Sequence, residues 1–318
     1  MRLATLRDGT PDGMLAVVSA DGTRWLGANH SLLAAITDWQ AVAPALQALA
    51  VRLAAGEGDR LDAATLAAPL PRSWQWLDGS AFHQHGELMQ IAFSLPPNET
   101  GRPLMYQGLS DRFYGPTDPV PFANEADGID FEGEFGVIVD AVPMGVSAEG
   151  AAAHIRLIVQ INDWSLRAIA PIEMKTGFGW VQAKPACSMA PFAVTPDELG
   201  DQWRNGRVCC DLLVEWNGER FGLVNGDQMA FSFPELIAHA ARTRDLVAGT
   251  IIGSGTVSNR EYAARGSACI SERRAIEMIA HGQPRTQFMA IGDRVRMEGL
   301  TSDGRTPFGA IDQIVTKA

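Results

Sequence analysis

Short apolar runs separated by turn dipeptides open the chain. Arg2 to Leu6, Met14 to Val18 and Thr23 to Leu26 each have the length of a strand, and Asp-Gly pairs between them favour tight turns, which predicts a small β-rich unit. From Asp38 to Ala55 apolar residues recur at helical spacing, with Gly56 as the stop, and Pro44 must lie near the first turn or kink the helix. Ala67 to Arg72, rich in proline, reads as a linker. Beyond it the pattern changes to β-like runs at Phe135 to Val139, Ile155 to Ile161, Val208 to Trp216 and Gly249 to Val257. Helices are fewer there. The clearest begins at Pro234, after Phe233, and carries Leu236, Ile237, Ala240 and Ala241 on one side. From Gly292 to Ile314 the pattern predicts further short strands joined by Asp-Gly turns, and the expectation is a chain complete to its end. No internal repeat is evident. The fold class expected is mixed β with peripheral helices, an α+β arrangement.

Composition sharpens this picture modestly. The 318 residues exceed the usual single domain, so one large domain or a small domain attached to a larger one is expected. Hydrophobic residues at 46% and charged residues at 20% are those of a soluble globular protein. A formal net charge of -11 would repel a phosphate backbone, so nucleic acid is not expected as a partner. The Ala/Leu-rich stretch from Leu32 to Ala55 is interrupted by Asp38, Gln40, Pro44, Gln47 and Arg52, so neither a signal peptide nor a membrane span is read. Cys187, Cys209, Cys210 and Cys269 have no CxxC spacing, and reduced, buried thiols in a cytoplasm are expected.

The chemistry is concentrated in acids. In Ile129-Asp130-Phe131-Glu132-Gly133-Glu134-Phe135-Gly136-Val137 the odd positions are apolar or glycine and the even ones begin with three acids, the alternation of a half-buried strand. Glu132 and Glu134 would then share a face with Cα atoms roughly 6 to 7 Å apart, and two ionised carboxylates so placed need a cation or a proton between them. A solvated strand face is the competing explanation. Asn162-Asp163-Trp164-Ser165 follows the apolar strand Leu157 to Ile161, and a strand end could project Asp163 toward the same cavity. Three oxygen ligands suit Mg²⁺ or Ca²⁺. Gly253-Ser254-Gly255-Thr256 lacks the Lys-Ser/Thr ending of a phosphate loop, so no nucleotide is implied. The chain contains neither a G-x-S-x-G elbow nor H-E-x-x-H, which sets aside a serine hydrolase and a zincin.

Asp-Phe-Glu-Gly-Glu at 130–134 followed by Asn-Asp-Trp-Ser at 162–165 resembles, in order and spacing, the metal signature of the fumarylacetoacetate hydrolase family. The resemblance runs from about Trp76 to about Ile314. It implies a β-roll or β-sandwich catalytic domain at 73–318 behind a small N-terminal α/β domain and linker at 1–72. It also implies Asp78 as a fourth ligand beside Glu132, Glu134 and Asp163, because Asp78 stands seven residues before His85, the implied base. From the residues alone His83 and His85 compete for that role. The same likeness carries over Tyr106, Lys184, Arg167 and Thr256 as residues near the substrate, and Glu272 as the group that orients the base. Ala170 replaces a glutamine of the family's oxyanion hole. Gln182 is a substitute donor if its segment is extended, since it would then share a face with Lys184.

What the resemblance implies functionally is a Mg²⁺-dependent hydrolase, with Ca²⁺ or Mn²⁺ as alternatives, acting on a small-molecule 2,4-dioxo acid. Fumarylacetoacetate or an acylpyruvate from aromatic-compound or tyrosine catabolism would be cleaved between its carbonyls, with water activated by His85 and charge balanced by Lys184 and Arg167. A decarboxylase, hydratase or isomerase of 2-oxo acids is the alternative, and a non-catalytic metal-binding relative a further one. The family likeness also suggests a homodimer.

Overall fold

The computed structural model describes residues 1–93 and 100–318. Its backbone is one eleven-stranded sheet and one five-stranded sheet, two small strand pairs, and helices on the periphery. Across the large sheet the strands run Asp59–Arg60, Arg24–Gly27, Met14–Val18, Arg2–Leu6, Ala193–Val194, Ile155–Asn162, Gly133–Val139, Ile251–Gly253, Trp76–Ser80 and Leu104–Gly108. Ser188–Met189 pairs with Ile155–Asn162 off this path. All these pairs are antiparallel except Ile251–Gly253 with Trp76–Ser80. The five-stranded sheet runs Glu219–Asn225, Asp211–Trp216, Arg294–Leu300, Ala310–Lys317 and Val120–Phe122.

The two faces of the Gly133–Val139 strand enter different cores. Phe135, Val137 and Val139 pack with Leu212, Val214, Met297 and Ile311 of the second sheet. Ile138 packs with Leu3, Leu15, Leu32, Ile36 and Leu46 of the N-terminal segment. A strand covered on both faces loses clean alternation, which is why Phe135 to Val139 reads as a nearly continuous apolar run. The small N-terminal unit therefore extends the large sheet, joined by the pairing of Arg2 with Val194.

Several local expectations meet the structure directly. Strands occupy Arg2–Leu6, Met14–Val18 and Arg24–Gly27, and a helix occupies Trp39–Ala54, stopping before Gly56, whose φ is +92°. Pro44 lies inside that helix, on its exposed side, where water can serve the carbonyl that loses its donor. The helix Phe233–Ala240 starts with a capping box between Ser232 and Glu235. The C-terminal strands are longer than expected, Arg294–Leu300 and Ala310–Lys317, paired as a hairpin.

Others are corrected. The proline-rich 67–72 stretch is no free linker: Leu66 to Leu70 are buried, the Ala67 N–H donates to the Thr5 carbonyl, and the Thr5 hydroxyl donates to the Pro69 carbonyl at 2.6 Å. Proline removed the donors, and neighbouring strands supply the contacts instead. The apolar spacing does not predict the helices that the structure has at Leu32–Thr37, His83–Phe93 and Ile270–His281. In the last, Arg273, Arg274 and Glu277 dilute the apolar stripe. The run expected at 208–216 breaks at Cys209 and Cys210, and only Ile251–Gly253 of 249–257 is strand. All four cysteines are buried and free, and burial pushes the Cys210 thiol up to about 12. No helix among the described residues is long and apolar enough to cross a membrane.

Candidate metal centre and its proton-transfer pair

The acidic run does not form one strand. Ile129–Asp130 pairs with Ser165–Leu166, and Gly133–Val139 pairs with Ile155–Asn162, so the ladder is interrupted at Phe131-Glu132 on one side and Asp163-Trp164 on the other. The interruption brings Glu132 beside Asp163. The Asp163 N–H donates to the Glu132 carbonyl at 3.0 Å, and the Glu132 N–H donates to Asn162 Oδ1 at 3.0 Å. Asp78 arrives from Trp76–Ser80, in register with Gly253 on one side and Tyr106 on the other. A Cβ at position 253 would lie inside contact distance of Asp78 Oδ1 and the Trp76 ring, so glycine there makes the room that the carboxylate occupies. The Gly255 N–H donates to Asp78 Oδ1 at 3.1 Å.

Asp78, Glu134 and Asp163 each offer a carboxylate oxygen within 4.8 Å of the others, and all three are buried. Glu132 is engaged differently: Arg167 Nη2 donates to its Oε1 and Lys184 Nζ to its Oε2, both at 2.5 Å. Lys184 also donates to Asp163 Oδ2 at 2.5 Å. The Tyr106 hydroxyl donates to the same Asp163 oxygen at 2.6 Å, and Cys187 Sγ donates to Oδ1 at 3.0 Å. Tyr106 stacks on Trp180 with ring centroids 5.2 Å apart, and the Lys184 ammonium lies 5.3 and 5.4 Å from the two rings.

Charge divides these acids. Burial would raise the Glu132 pKa, but Arg167 and Lys184 overturn that and hold it below the ordinary carboxylate range. Burial, then the charges of Asp78, Asp163 and Glu132, push Glu134 well above that range. Burial and Asp163 do the same to Asp78. Glu134 is fully buried, and among the described residues neither of its oxygens finds a hydrogen-bond donor outside the acidic cluster. A buried carboxylate without a donor requires a proton or a cation, and three convergent hard oxygens suit a divalent ion. The donor set therefore fits such an ion.

Beside this cluster, His85 Nδ1 lies 2.9 Å from Glu272 Oε2. His85 comes from the His83–Phe93 helix and Glu272 from the first turn of Ile270–His281. As a carboxylate Glu272 can only accept, which puts the ring proton on Nδ1 and leaves Nε2 as the basic atom. His83, the competing histidine, is exposed and packs at a tilt against Phe231.

Residues 75–316 match the family model described as the C-terminal part of fumarylacetoacetate hydrolase, and residues 1–72 match the model of fumarylacetoacetase N-terminal domain 2. The chain belongs to the fumarylacetoacetate hydrolase family. A relative named 2,4-didehydro-3-deoxy-L-rhamnonate hydrolase, from Sphingomonas sp. (strain SKA58), is 28% identical over 157 residues, 48% of this chain and 52% of that one. A mitochondrial oxaloacetate tautomerase of Homo sapiens is 26% identical over 162 residues, 48% of each chain. The chain thus spans about half the length of the curated relatives it matches. Among solved structures, a putative HpcE protein from Mycobacterium smegmatis superposes with a TM-score of 0.68 at 19% identity, covering 100% of both chains. Maleylpyruvate hydrolase from Sphingobium sp. SYK-6, in complex with manganese(II) and pyruvate, superposes with a TM-score of 0.67 at 18% identity, also covering 100% of both. These show the family fold over the full chain, including its N-terminal part.

The other residues expected at the site of this fumarylacetoacetate hydrolase relative fall unevenly. Thr256 is buried in the turn after Ile251–Gly253, next to the Gly255 amide that meets Asp78. Ala170 begins the short helix Ala170–Met174 and is buried. Gln182 is exposed and lies in a bend, so a spacing of two does not put it on the face of buried Lys184. The bend has a local cause: Glu173 gathers the N–H groups of Val181, Gln182 and Ala183 on one carboxylate. Trp180, Cys187, Gly253 and Asp130 were not singled out as site residues. Asp130 lay within the acidic alternation, but nothing local to it reveals its partners.

Proposed function

We propose that this chain is a divalent-cation-dependent enzyme that hydrolyses a carbon–carbon bond of a small 2,4-dioxo acid of the acylpyruvate or fumarylacetoacetate type. The observation that carries this reading is the donorless, buried Glu134 converging with Asp78 and Asp163. Asp78, Glu134 and Asp163 would hold the cation, with Glu132 as a fourth carboxylate at their edge. When bound, the ion supplies Lewis-acid polarisation of the substrate's oxygens. His85 Nε2 takes a proton from water as the water oxygen bonds to the carbonyl carbon. Glu272 keeps the ring oriented through Nδ1. Electrons of the breaking carbon–carbon bond pass to the departing carbon, which leaves as an enolate and regains a proton from His85. Lys184 offers positive charge to the substrate's carboxylate or developing oxyanion, and the Tyr106–Trp180 pair walls its approach.

A second reading is keto–enol or double-bond isomerisation of a 2-oxo acid. Relatives named oxaloacetate tautomerase, and a structural neighbour named 5-carboxymethyl-2-hydroxymuconate delta-isomerase, are consistent with it. There His85 would move a proton between carbon and oxygen without attack by water. The test is purified protein with Mg²⁺, Mn²⁺ or EDTA, incubated with acetylpyruvate, fumarylacetoacetate and enol-oxaloacetate. Cation-dependent loss of diketone absorbance with release of two acids supports hydrolysis. Enol decay without bond cleavage supports isomerisation, and no cation-dependent change with any of the three overturns both.

A further inference from the structure

Asp130 is neither one of the converging ligands nor part of the histidine pair, yet it accepts three hydrogen bonds between them. Its side chain is fully buried. Oδ1 accepts the Ile270 N–H at 2.7 Å, while Oδ2 accepts the Ser271 N–H at 2.9 Å and Arg167 Nε at 2.8 Å. Arg167 continues to Glu132 Oε1, and Glu272, the residue after Ser271, continues to His85. One carboxylate thus holds both the first turn of the helix that carries Glu272 and the guanidinium that faces the acidic cluster.

We propose that Asp130 is a positioning residue that keeps the His85–Glu272 pair in register with the carboxylate cluster by clamping Ile270, Ser271 and Arg167 at once. The proposal rests on the reading of His85 as the base. The helix already has a cap of its own, since Cys269 Sγ accepts the Glu272 N–H at 3.3 Å, so capping alone does not require an acid from a strand 140 residues away. What Asp130 adds is the link to Arg167. A carboxylate can accept all three donors because it has no hydrogen of its own to present. An asparagine offers one oxygen and turns an NH₂ toward the remaining N–H groups, so Asp130→Asn forces either the helix turn or Arg167 to move. A shift of a few tenths of an ångström in that turn lengthens the Glu272–His85 contact directly.

The experiment compares wild type, Asp130→Asn, His85→Ala and the double variant. Readouts are kcat and KM with the best substrate, Mn²⁺ affinity by electron paramagnetic resonance, and the downfield imidazole N–H signal that disappears in His85→Ala. Asp130→Asn is expected to lower kcat about 10- to 100-fold, the range found for groups that orient reactive ligands, with KM and Mn²⁺ affinity changed less than threefold. It should cost nothing further in the His85→Ala background, and the imidazole signal should shift or vanish. An equal loss with and without His85, or a loss of Mn²⁺ affinity that matches the loss of kcat, would overturn the proposal in favour of a purely structural role. If wild type turns over none of the substrates, the function reading fails separately and the imidazole signal decides alone: unchanged in Asp130→Asn, it sinks the clamp. Should Asp130→Asn not fold, Asp130→Glu keeps the charge, displaces it by one methylene, and is read by the same signal and the same kcat-against-KM split.

Discussion

Glu134 is the side chain whose surroundings demand the most of it. It is fully buried, both oxygens lack a donor outside the acidic cluster among the described residues, and three other acids share its neighbourhood, so without a cation it is destabilising or protonated. Glu134→Gln should therefore act in opposite directions under two conditions. With EDTA the variant is expected to unfold at a higher temperature than wild type, because a neutral amide relieves the like-charge repulsion. With saturating Mn²⁺ the order should reverse, because wild type gains about 2.7 kcal/mol at a hundredfold excess over Kd and the variant gains far less. Thermal unfolding in the two buffers checks both halves. Glu132, by contrast, has two cations of its own, and the sequence carried no signal separating it from Glu134: the two acids look alike in an alternating run, and only Arg167 and Lys184 tell them apart.

At the scale of elements, two segments hold the site by backbone geometry. The Ile251–Gly253 strand lies in parallel register with Trp76–Ser80, and Gly253 faces Asp78. Gly253→Ala is expected to push the Asp78 carboxylate or the Trp76 ring out of place, destabilising the protein by about 1–3 kcal/mol as overpacking and weakening Mn²⁺ binding at least tenfold. Denaturant titration and metal titration measure the two effects independently. The 175–183 segment depends on Glu173, whose partly exposed carboxylate is held below its ordinary value by the N–H groups of Gln182, Ala183 and Val181. A lowered pKa means that the folded state prefers the ionised form. The stabilisation is then complete at neutral pH and fades as pH falls below about 4.3 toward the folded value. The protection factor of a peptide covering 176–184, taken against the intrinsic exchange rate at each pH, should fall over that acidic window in wild type. In Glu173→Gln it should be low already at pH 7; equal protection in both proteins at pH 7 would contradict this role. The segment around Gln182 is bent rather than extended, because a carboxylate ten residues before Ala183 holds the chain there.

The whole molecule is less divisible than its family matches suggest. Models for the two parts meet between residues 72 and 75, while the large sheet crosses that boundary through Arg2–Leu6 and Ala193–Val194. Leu3, Leu15, Leu32 and Leu46 share a core with Ile138, Leu157 and Ile251. Residues 73–318 expressed alone would expose that apolar face and the short edge at Ala193–Val194. The fragment is expected to be insoluble or to lose cooperative unfolding, and mixing it with separately produced 1–72 should restore solubility. A soluble fragment with a sharp thermal transition would show that the shared core is dispensable.

Local physics made much of this legible in the residues. Strand length, helical spacing, the proline start at 234 and the glycine stop at 56 depend on neighbours within a few positions, and the acids at 132, 134 and 163 stand out by alternation and by their place at strand ends. The family resemblance extended that reading to Asp78, His85, Lys184 and Glu272, which the fold gathers around the same cluster or beside it. Tertiary structure alone decided which acids converge and which are neutralised by Lys184 and Arg167, that Gly253 clears space for Asp78, and that Asp130 meets Ile270 and Ser271. Arg167 and Glu132 stand 35 residues apart, and Asp130 and Ser271 stand 141 apart. The energies of these contacts come from burial and charge that exist only once the sheets have closed around them.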